Sequence, residues 1–213
     1  MDLQKLIEGV HYFQNVGFAQ QRDLFERLAG GQQPEACFIT CSDSRIDPNL
    51  ITNAKPGQLF IVRNAGNVVP CYGTDNNGEL AAVEFAVKVL GVKDIIVCGH
   101  TQCGAMKGVL DKASLTGMPT LKSWLKHCDA TAEIISDHYM HLDGNELLTA
   151  TAEENVLCQL EHLRTLPVVA SRVSRGLVTL HGWMYSFETG EVFVYDSRSK
   201  QFEPLGQRSA PLN

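Results

Sequence analysis

The chain has 213 residues, of which 44% are apolar and 20% are charged, and its formal net charge is -6. This is ordinary composition for a globular chain that folds as one domain. Lysine and arginine are scattered along the sequence, so it lacks the basic patch that is typical of nucleic-acid-binding proteins. No apolar run approaches the length needed to cross a membrane. We therefore expect neither a nucleic-acid partner nor a membrane partner.

The N-terminal stretch and the cysteines indicate a cellular compartment. Asp2, Lys5 and Glu8 interrupt the first apolar residues, which is unlike the apolar centre of a secretory signal. Seven cysteines is an odd number, and a reducing compartment keeps thiols free. We expect a cytoplasmic protein, and the sequence leaves open whether it resides within a bacterial microcompartment.

Two helices are predicted before any strand. Apolar residues recur at helical spacing from Leu3 to Val16, which predicts a helix over about residues 2–16 that ends at Gly17. A second, shorter helix is predicted over about residues 20–29, where apolar residues lie on one side and two glycines end the helix. Residues 1–30 are therefore interpreted as an N-terminal helical arm.

Three buried strands are predicted next. Residues 36–41 form a short apolar run typical of a central strand buried on both faces, and about residues 58–63 and 94–100 form two more. Asp47 and Pro48 predict the start of a short helix through about residue 52. A longer helix is predicted over about residues 78–90, between the second and third strands.

The last part of the chain predicts helices followed by a hairpin. Helices are expected over about residues 119–138 and 146–166, and strands over about 177–185 and 191–195. The fold class is α/β, a mostly parallel central sheet of about four parallel strands plus an antiparallel edge strand, flanked by helices. We expect a single domain over residues 1–205, and a mobile tail over residues 206–213.

Cys41, His100 and Cys103 are the predicted metal ligands. Cys41 and His100 end two predicted strands, and ligands of open parallel sheets bind beyond such carboxyl ends, so we expect these two strands to be neighbours. Cys103 lies in the first turn of a predicted helix, where the helix dipole favours a thiolate of low pKa. Two sulfurs and one imidazole suit zinc, and three protein ligands are typical of a catalytic site with a position left for water.

Asp43 and Arg45 are the predicted partners of the metal. In an extended segment, residues two apart point the same way, so Cys41, Asp43 and Arg45 are expected to face one cleft. Arg45 would keep the carboxylate of Asp43 ionised and oriented beside the metal. Outside such a context, the same pair would be an ordinary surface ion pair.

These segments carry a resemblance to a known family. The Cys-Ser-Asp-Ser-Arg segment 41–45, the Arg-Asn-Ala-Gly-Asn segment 63–67 and the His-x-x-Cys-Gly segment 100–104 resemble the signatures of the beta-class carbonic anhydrases. The similarity runs from the first helix to about Pro204. It implies one Zn2+ per chain and the reversible hydration of CO2 to bicarbonate and a proton, by attack of zinc hydroxide that the Asp-Arg pair orients.

The resemblance also implies a substrate pocket. Gln32 takes the position of a glutamine that donates a hydrogen bond to bound substrate, and Phe85 stands where many relatives have tyrosine. Apolar and small residues complete the pocket, which as a whole consists of Gln32, Phe60, Ala65, Gly66, Phe85 and Gly104.

Several alternatives stay open at this point. Asp43 could itself ligate the zinc and close the site, as the resemblance implies for some family members at lower pH. The chain could be a different zinc hydrolase on the same scaffold, for example one acting on CS2, or a non-catalytic zinc or scaffold protein. The resemblance also implies a homodimer or a dimer of dimers, in which N-terminal helices embrace the partner subunit.

Overall fold

The structure is a computed structural model that describes residues 2–74 and 78–206. Its contacts divide the chain into two compact units, Met1–Gln33 and Pro34–Asn213. The predicted arm over residues 1–30 falls within the first of these units. The predicted tail lies outside the described residues from position 207 onward.

The N-terminal unit consists of short helical segments. Helix α1 spans Leu3–Tyr12 and continues as a π-helix over Phe13–Gly17, followed by α2 over Phe18–Gln20 and α3 over Arg22–Ala29. None of these segments contains a buried residue within the single chain. Apolar side chains of the unit therefore remain exposed to solvent in one copy of the protein.

The predicted end of the first helix at Gly17 is wrong. The N–H of Phe18 donates to the carbonyl of Phe13, which is the hydrogen-bond spacing of a π-helix, and the helix runs on past the glycine. The rings of Phe13, Phe18 and Phe25 pack together with centroids 5.4 to 6.2 Å apart. Packing of these rings stabilises the continued helix, and a glycine inside a helix costs only about 1 kcal/mol.

The second unit contains a six-stranded sheet in the order β2-β1-β3-β4-β5-β6. The first four strands are parallel to one another, and β5 and β6 add to the sheet as antiparallel strands. The α/β fold class is confirmed, with two antiparallel strands where one was predicted. The strands are β1 Ala36–Cys41, β2 Leu59–Asn64, β3 Asp94–His100, β4 Thr179–Tyr185, β5 Val192–Asp196 and β6 Gln201–Pro204.

The two strands that carry predicted metal ligands lie side by side in the sheet. Every residue of β1 is buried, and in β3 only Asp94 is not, as expected of continuous apolar runs covered on both faces. Thr40 pairs with Cys98 in the parallel register, so both strands end at the same edge. The predicted adjacency of these strands is confirmed.

Helices cover the sheet. After β1 comes α4 Pro48–Thr52, and the remaining helices are α5 Gly78–Lys88, α6 Gly104–Leu110, α7 Pro119–Trp124, α8 Asp129–His138, α9 Gly144–Thr165 and α10 Pro167–Ser174. Within the described residues, no helix combines the length and the apolar composition that crossing a lipid bilayer requires.

One predicted helix is divided in the structure. The helix expected over residues 119–138 is interrupted by a 3-10 turn over Leu125–Cys128, between α7 and α8. Side chains three apart eclipse in such a turn, and here Leu125 and Cys128 are both buried. Burial of these two side chains explains the break, which no proline or glycine announces in the sequence.

Helix α9 packs closely on the central strands because glycines stand below it. A Cβ atom at Gly99 would lie 2.8 Å from Cγ2 of Val156, and one at Gly182 would lie 3.0 Å from Cγ1 of the same side chain. Both distances are shorter than ordinary carbon contacts of about 3.5–4.0 Å. The close approach brings the polar residues of α9 to the loop after β2, next to the site described below.

Candidate metal centre

The three predicted metal ligands meet at the carboxyl edge of the sheet. Cys41 ends β1, His100 ends β3, and Cys103 is the N-cap residue of α6. All three residues are buried, and the two sulfurs and a ring nitrogen lie within 4.8 Å of one another. Cys41 and His100, which are 59 positions apart, thus meet because their strands are parallel neighbours.

The orientation of the His100 ring fits a metal ion. Its Nδ1 lies 2.7 Å from the carbonyl oxygen of Thr101, which can only accept, so Nδ1 carries the hydrogen. Nε2 therefore offers a lone pair, and it is buried without a hydrogen-bond partner in the described part of the chain. An orphaned imidazole nitrogen beside two sulfurs is the donor set that zinc prefers.

The two thiols differ in acidity. A hydrogen bond from Cys103 lowers the pKa of Cys41 and the N–H of Gly66 adds to this effect, whereas burial opposes it. The hydrogen bond to Cys41 and burial raise the pKa of Cys103, although N–H groups at the start of α6 lower it. The N–H groups of Ala105 and Met106 lower the pKa of Cys103, as the helix-terminus argument predicts, but the neighbouring sulfur of Cys41 and burial act in the opposite direction. A metal ion ligated by both sulfurs would deprotonate both.

Asp43 and Arg45 form a close ion pair after β1. Nε of Arg45 donates to Oδ1 of Asp43 at 2.9 Å, and Nη2 donates to Oδ2 at 2.7 Å. The side chain of Asp43 is 17% exposed and that of Arg45 is 52% exposed. The hydrogen bonds from Arg45 hold the pKa of Asp43 well below its usual range, so this carboxylate is ionised at neutral pH.

The pair forms by a different route from the predicted one. The strand ends at Cys41, and the backbone N–H of Arg45 donates to Oδ1 of Asp43 at 3.0 Å, which closes a turn. Aspartate commonly closes such a turn by accepting from the backbone two residues on. The alternation of an extended segment was thus the wrong reason for bringing Asp43 and Arg45 together.

Comparisons with known proteins place the chain in a family. The family model described as carbonic anhydrase matches residues 36–192. The carbonic anhydrase of Synechocystis sp. is 51% identical over 195 residues, which cover 91% of this chain and 71% of that protein. The solved structure of the beta-carbonic anhydrase CcaA superimposes with a TM-score of 0.94 at 49% identity, covering 97% of this chain and 93% of that one. The chain belongs to the beta-carbonic anhydrase family.

Further relatives extend the comparison to other organisms. The carbonic anhydrase of Pseudomonas aeruginosa is 43% identical over 205 residues, covering 96% of this chain and 93% of that protein. One of two tetrameric beta-carbonic anhydrases of Sordaria macrospora is similar with a TM-score of 0.81 at 27% identity, covering 90% and 95% of the two chains. This protein is therefore a carbonic anhydrase, a zinc enzyme that interconverts CO2 and bicarbonate.

The predicted pocket residues of this carbonic anhydrase are distributed over several elements. Phe60 on β2 and Phe85 on α5 lie with ring centroids 6.1 Å apart. Gly66 is buried, Ala65 is partly buried, and Gly104 is an exposed residue at the start of α6. The sixth predicted residue, Gln32, is exposed and belongs to the separate unit Met1–Gln33.

Sequence reasoning gave no role to two side chains that shape the centre. Arg63 donates to the carbonyl oxygens of Cys41, Asp43 and Ile46 at 3.1, 2.8 and 2.9 Å, and so holds the segment that carries the ion pair. The ring of Phe187 lies 4.4 Å below the guanidinium of Arg45. Arg63 stands within a recognised signature and could have been found there, whereas Phe187 lies in a loop without any local signal.

Proposed function

We propose that Cys41, His100 and Cys103 hold one zinc ion per chain, and that Asp43 and Arg45 orient the nucleophile. The observation that carries the proposal is the buried cluster of three ligand atoms within 4.8 Å of one another. A bound zinc ion supplies a water of lowered pKa as nucleophile near neutral pH. Two anionic sulfurs reduce the charge on the metal, so the surrounding side chains must assist.

The hydrogen bonds of Asp43 leave one acceptor position for this assistance. Oδ1 accepts from both N and Nε of Arg45, whereas Oδ2 accepts only from Nη2 within the described residues. Each carboxylate oxygen has two lone-pair positions. Asp43 thus keeps a lone pair on Oδ2 with which it can accept a hydrogen bond from the nucleophile and orient it.

Arg45 fixes the carboxylate in this role. It also donates to the carbonyl oxygen of Gln102 at 3.3 Å and lies over the ring of Phe187. The bidentate hold of Arg45 on Asp43 favours an open centre over the closed alternative, in which Asp43 would turn to the metal. That movement would break two charge-assisted hydrogen bonds, and their loss makes it unfavourable.

The neighbouring apolar surface suits CO2, which carries no charge. We assign Phe60 and Phe85 to an apolar wall, and Ala65, Gly66 and Gly104 to the part of the pocket nearest the ligands. Phe85 has no hydroxyl, so this wall offers no hydrogen bond at that position. Family resemblance alone supports Gln32 as a donor to bound bicarbonate.

The proposal is tested by comparing Asp43→Asn with a matched control. Asp196 and Arg198 repeat the same pairing at the end of β5, with Nη2 of Arg198 3.3 Å from Oδ2 of Asp196. We expect Asp43→Asn to retain zinc and to lose about 10- to 100-fold in stopped-flow CO2 hydration. Asp196→Asn should hydrate CO2 at the wild-type rate.

Other outcomes would refute the assigned roles. A wild-type hydration rate in zinc-loaded Asp43→Asn would remove the orienting role of this residue. Activity of the native protein on CS2 without activity on CO2 would favour the other zinc hydrolase. Full zinc content with neither activity would favour a non-catalytic protein.

We propose a homodimer or a dimer of dimers as the assembly. Leu3, Leu6, Val10 and Phe13 are between 42% and 69% exposed in the single chain, and they recur at helical spacing along one stretch. Such an apolar stripe is typical of a helix that packs against another surface. The related enzymes of Sordaria macrospora are tetrameric, which supports assembly in this family.

The cysteines support a reducing compartment for the enzyme. All seven are free, and none forms a disulfide. We propose the cytoplasm, with a bacterial microcompartment within it as the finer possibility. Fractionation of the source cells, followed by detection of the protein, separates the two locations.

A further inference from the structure

The peptide bond between Ala65 and Gly66 is hydrogen-bonded at both ends. Its N–H, on Gly66, donates to Sγ of Cys41 at 3.4 Å. Its carbonyl oxygen, on Ala65, accepts from Nε1 of Trp124 at 2.9 Å. The indole N–H, the peptide group and the sulfur of Cys41 thus form one continuous chain of hydrogen bonds.

The orientation of this peptide bond is fixed by its surroundings. Gly66 has a φ of 83°, and its own carbonyl oxygen accepts from Nδ2 of Asn155 at 2.9 Å. A Cβ atom at this position would lie 3.0 Å from Cβ of Ala105. The N–H of Gly66 therefore has little freedom to turn away from Cys41.

Trp124 supplies the indole N–H that begins this chain of hydrogen bonds. It is the last residue of α7, its ring is partly buried against the core, and it meets the ring of His127 edge to face at 5.5 Å. An indole N–H can only donate, and partly buried tryptophans usually give it to a defined acceptor. The acceptor here belongs to the peptide group that contacts a zinc ligand.

We propose that Trp124 is a positioning residue that tunes the zinc centre by polarising the Ala65–Gly66 peptide toward the sulfur of Cys41. A hydrogen bond to a carbonyl oxygen strengthens the N–H of the same peptide as a donor, by about 10–30% per bond. A stronger donor withdraws more charge from the thiolate. The metal then keeps more positive charge, which it needs because two thiolates already neutralise much of it.

This inference rests on the proposed ligand role of Cys41, and cobalt-substituted protein tests both separately. Co2+ bound to a thiolate gives a sulfur-to-metal charge-transfer band whose energy falls as the sulfur becomes more electron-rich. We expect Trp124→Phe to shift this band to lower energy, because an aromatic ring is kept and the N–H is lost. Zinc-loaded Trp124→Phe should also lose about 10-fold in CO2 hydration.

The matched control is His127→Gln, which removes the ring that packs on Trp124 and keeps the indole donor. We expect its band to stay at the wild-type energy. Should Trp124→Phe fail to fold, replacement of tryptophan by benzothienylalanine in the Trp183→Phe protein removes only the N–H, and the same band is measured.

Each outcome distinguishes the hypotheses. Absence of a thiolate band in the cobalt-substituted native protein would refute the ligand assignment itself. A native band that Trp124→Phe leaves in place would overturn the tuning role and leave the ligands intact. An equal shift in His127→Gln would also overturn it, because ring packing and not the N–H would then be responsible.

Discussion

Gly66→Ala should weaken both the fold and the metal centre, for two reasons that the structure separates. The residue has a φ of 83°, where a side chain costs roughly 1–2 kcal/mol. Its new Cβ would also lie 3.0 Å from Cβ of Ala105 and 3.1 Å from Cε of Met106. Met106 ends in a flexible chain that can turn, but Ala105 can move only with the backbone of α6, so overpacking adds about 1–3 kcal/mol.

Gly91→Ala is the matched control for backbone strain. Gly91 has a similar φ of 72°, and a Cβ there would meet no atom within 4 Å. We expect Gly91→Ala to lose roughly 1–2 kcal/mol and Gly66→Ala about 2–5 kcal/mol of unfolding free energy. Each kcal/mol lowers the Tm of a chain of this length by about 2–4 °C, which calorimetry at one fixed protein concentration measures.

The metal centre provides a second measurement on the same pair of variants. The N–H of Gly66 donates to Sγ of Cys41 at 3.4 Å, so a displacement of residue 66 away from α6 is expected to disturb this contact. We expect Gly66→Ala to release zinc to a competing chelator about 10- to 100-fold more readily than Gly91→Ala. Equal Tm values and equal zinc retention in the two variants would refute the steric argument.

Three further predictions concern the ligands, pH and assembly. Cys103→Ser should lose bound zinc in metal analysis, because it removes a soft ligand, whereas Cys71→Ser, outside the cluster, should keep it. Burial lowers the pKa of His127, so below about pH 6.5 the unfolded chain takes up this proton first and stability falls as the pH falls. Urea unfolding at pH 7.5 and 5.5 should therefore show a smaller loss for His127→Gln than for the native protein, and His138→Gln, which changes an exposed histidine, should behave like the native protein. Deleting residues 1–18 should give dissociated, poorly active protein, and a fully active monomer in light scattering would contradict this.

The central strands and the ligand cluster were predictable because both follow from local rules. Continuous apolar runs identify β1 and β3, and ligands at the carboxyl ends of two parallel strands can meet only if the strands are neighbours. Strand β6 was missed because it is a four-residue edge strand that ends in proline, Pro204. It exists because β5 offers it an antiparallel partner, which the segment itself does not reveal.

Long-range contacts decided the features that local patterns could not. Nothing in the sequence near Trp124 indicates that its N–H reaches Ala65, which is 59 positions away. The break after α7 has the same origin, since tertiary burial of Leu125 and Cys128 overrides a continuous helical pattern. The pairing of Asp43 with Arg45 does not depend on such long-range contacts. Their residue types indicated the pair, and only the turn that joins them was not predicted.

Helix α9 connects the stability of the fold to the metal centre. Gln159, which is fully buried, accepts from the N–H of Val69 at 2.8 Å and donates to Oδ1 of Asn155 at 2.9 Å. Asn155 in turn holds the carbonyl of Gly66.

These buried amides lie on a helix that packs closely on the strand ending in His100. A partly satisfied buried network costs more than it contributes, so the loop after β2 and α9 should keep or lose their order together. We therefore expect bound zinc to stabilise α9 against local opening. Hydrogen exchange should show it, because added zinc would then slow exchange of α9 amides as well as of the loop that contacts Cys41.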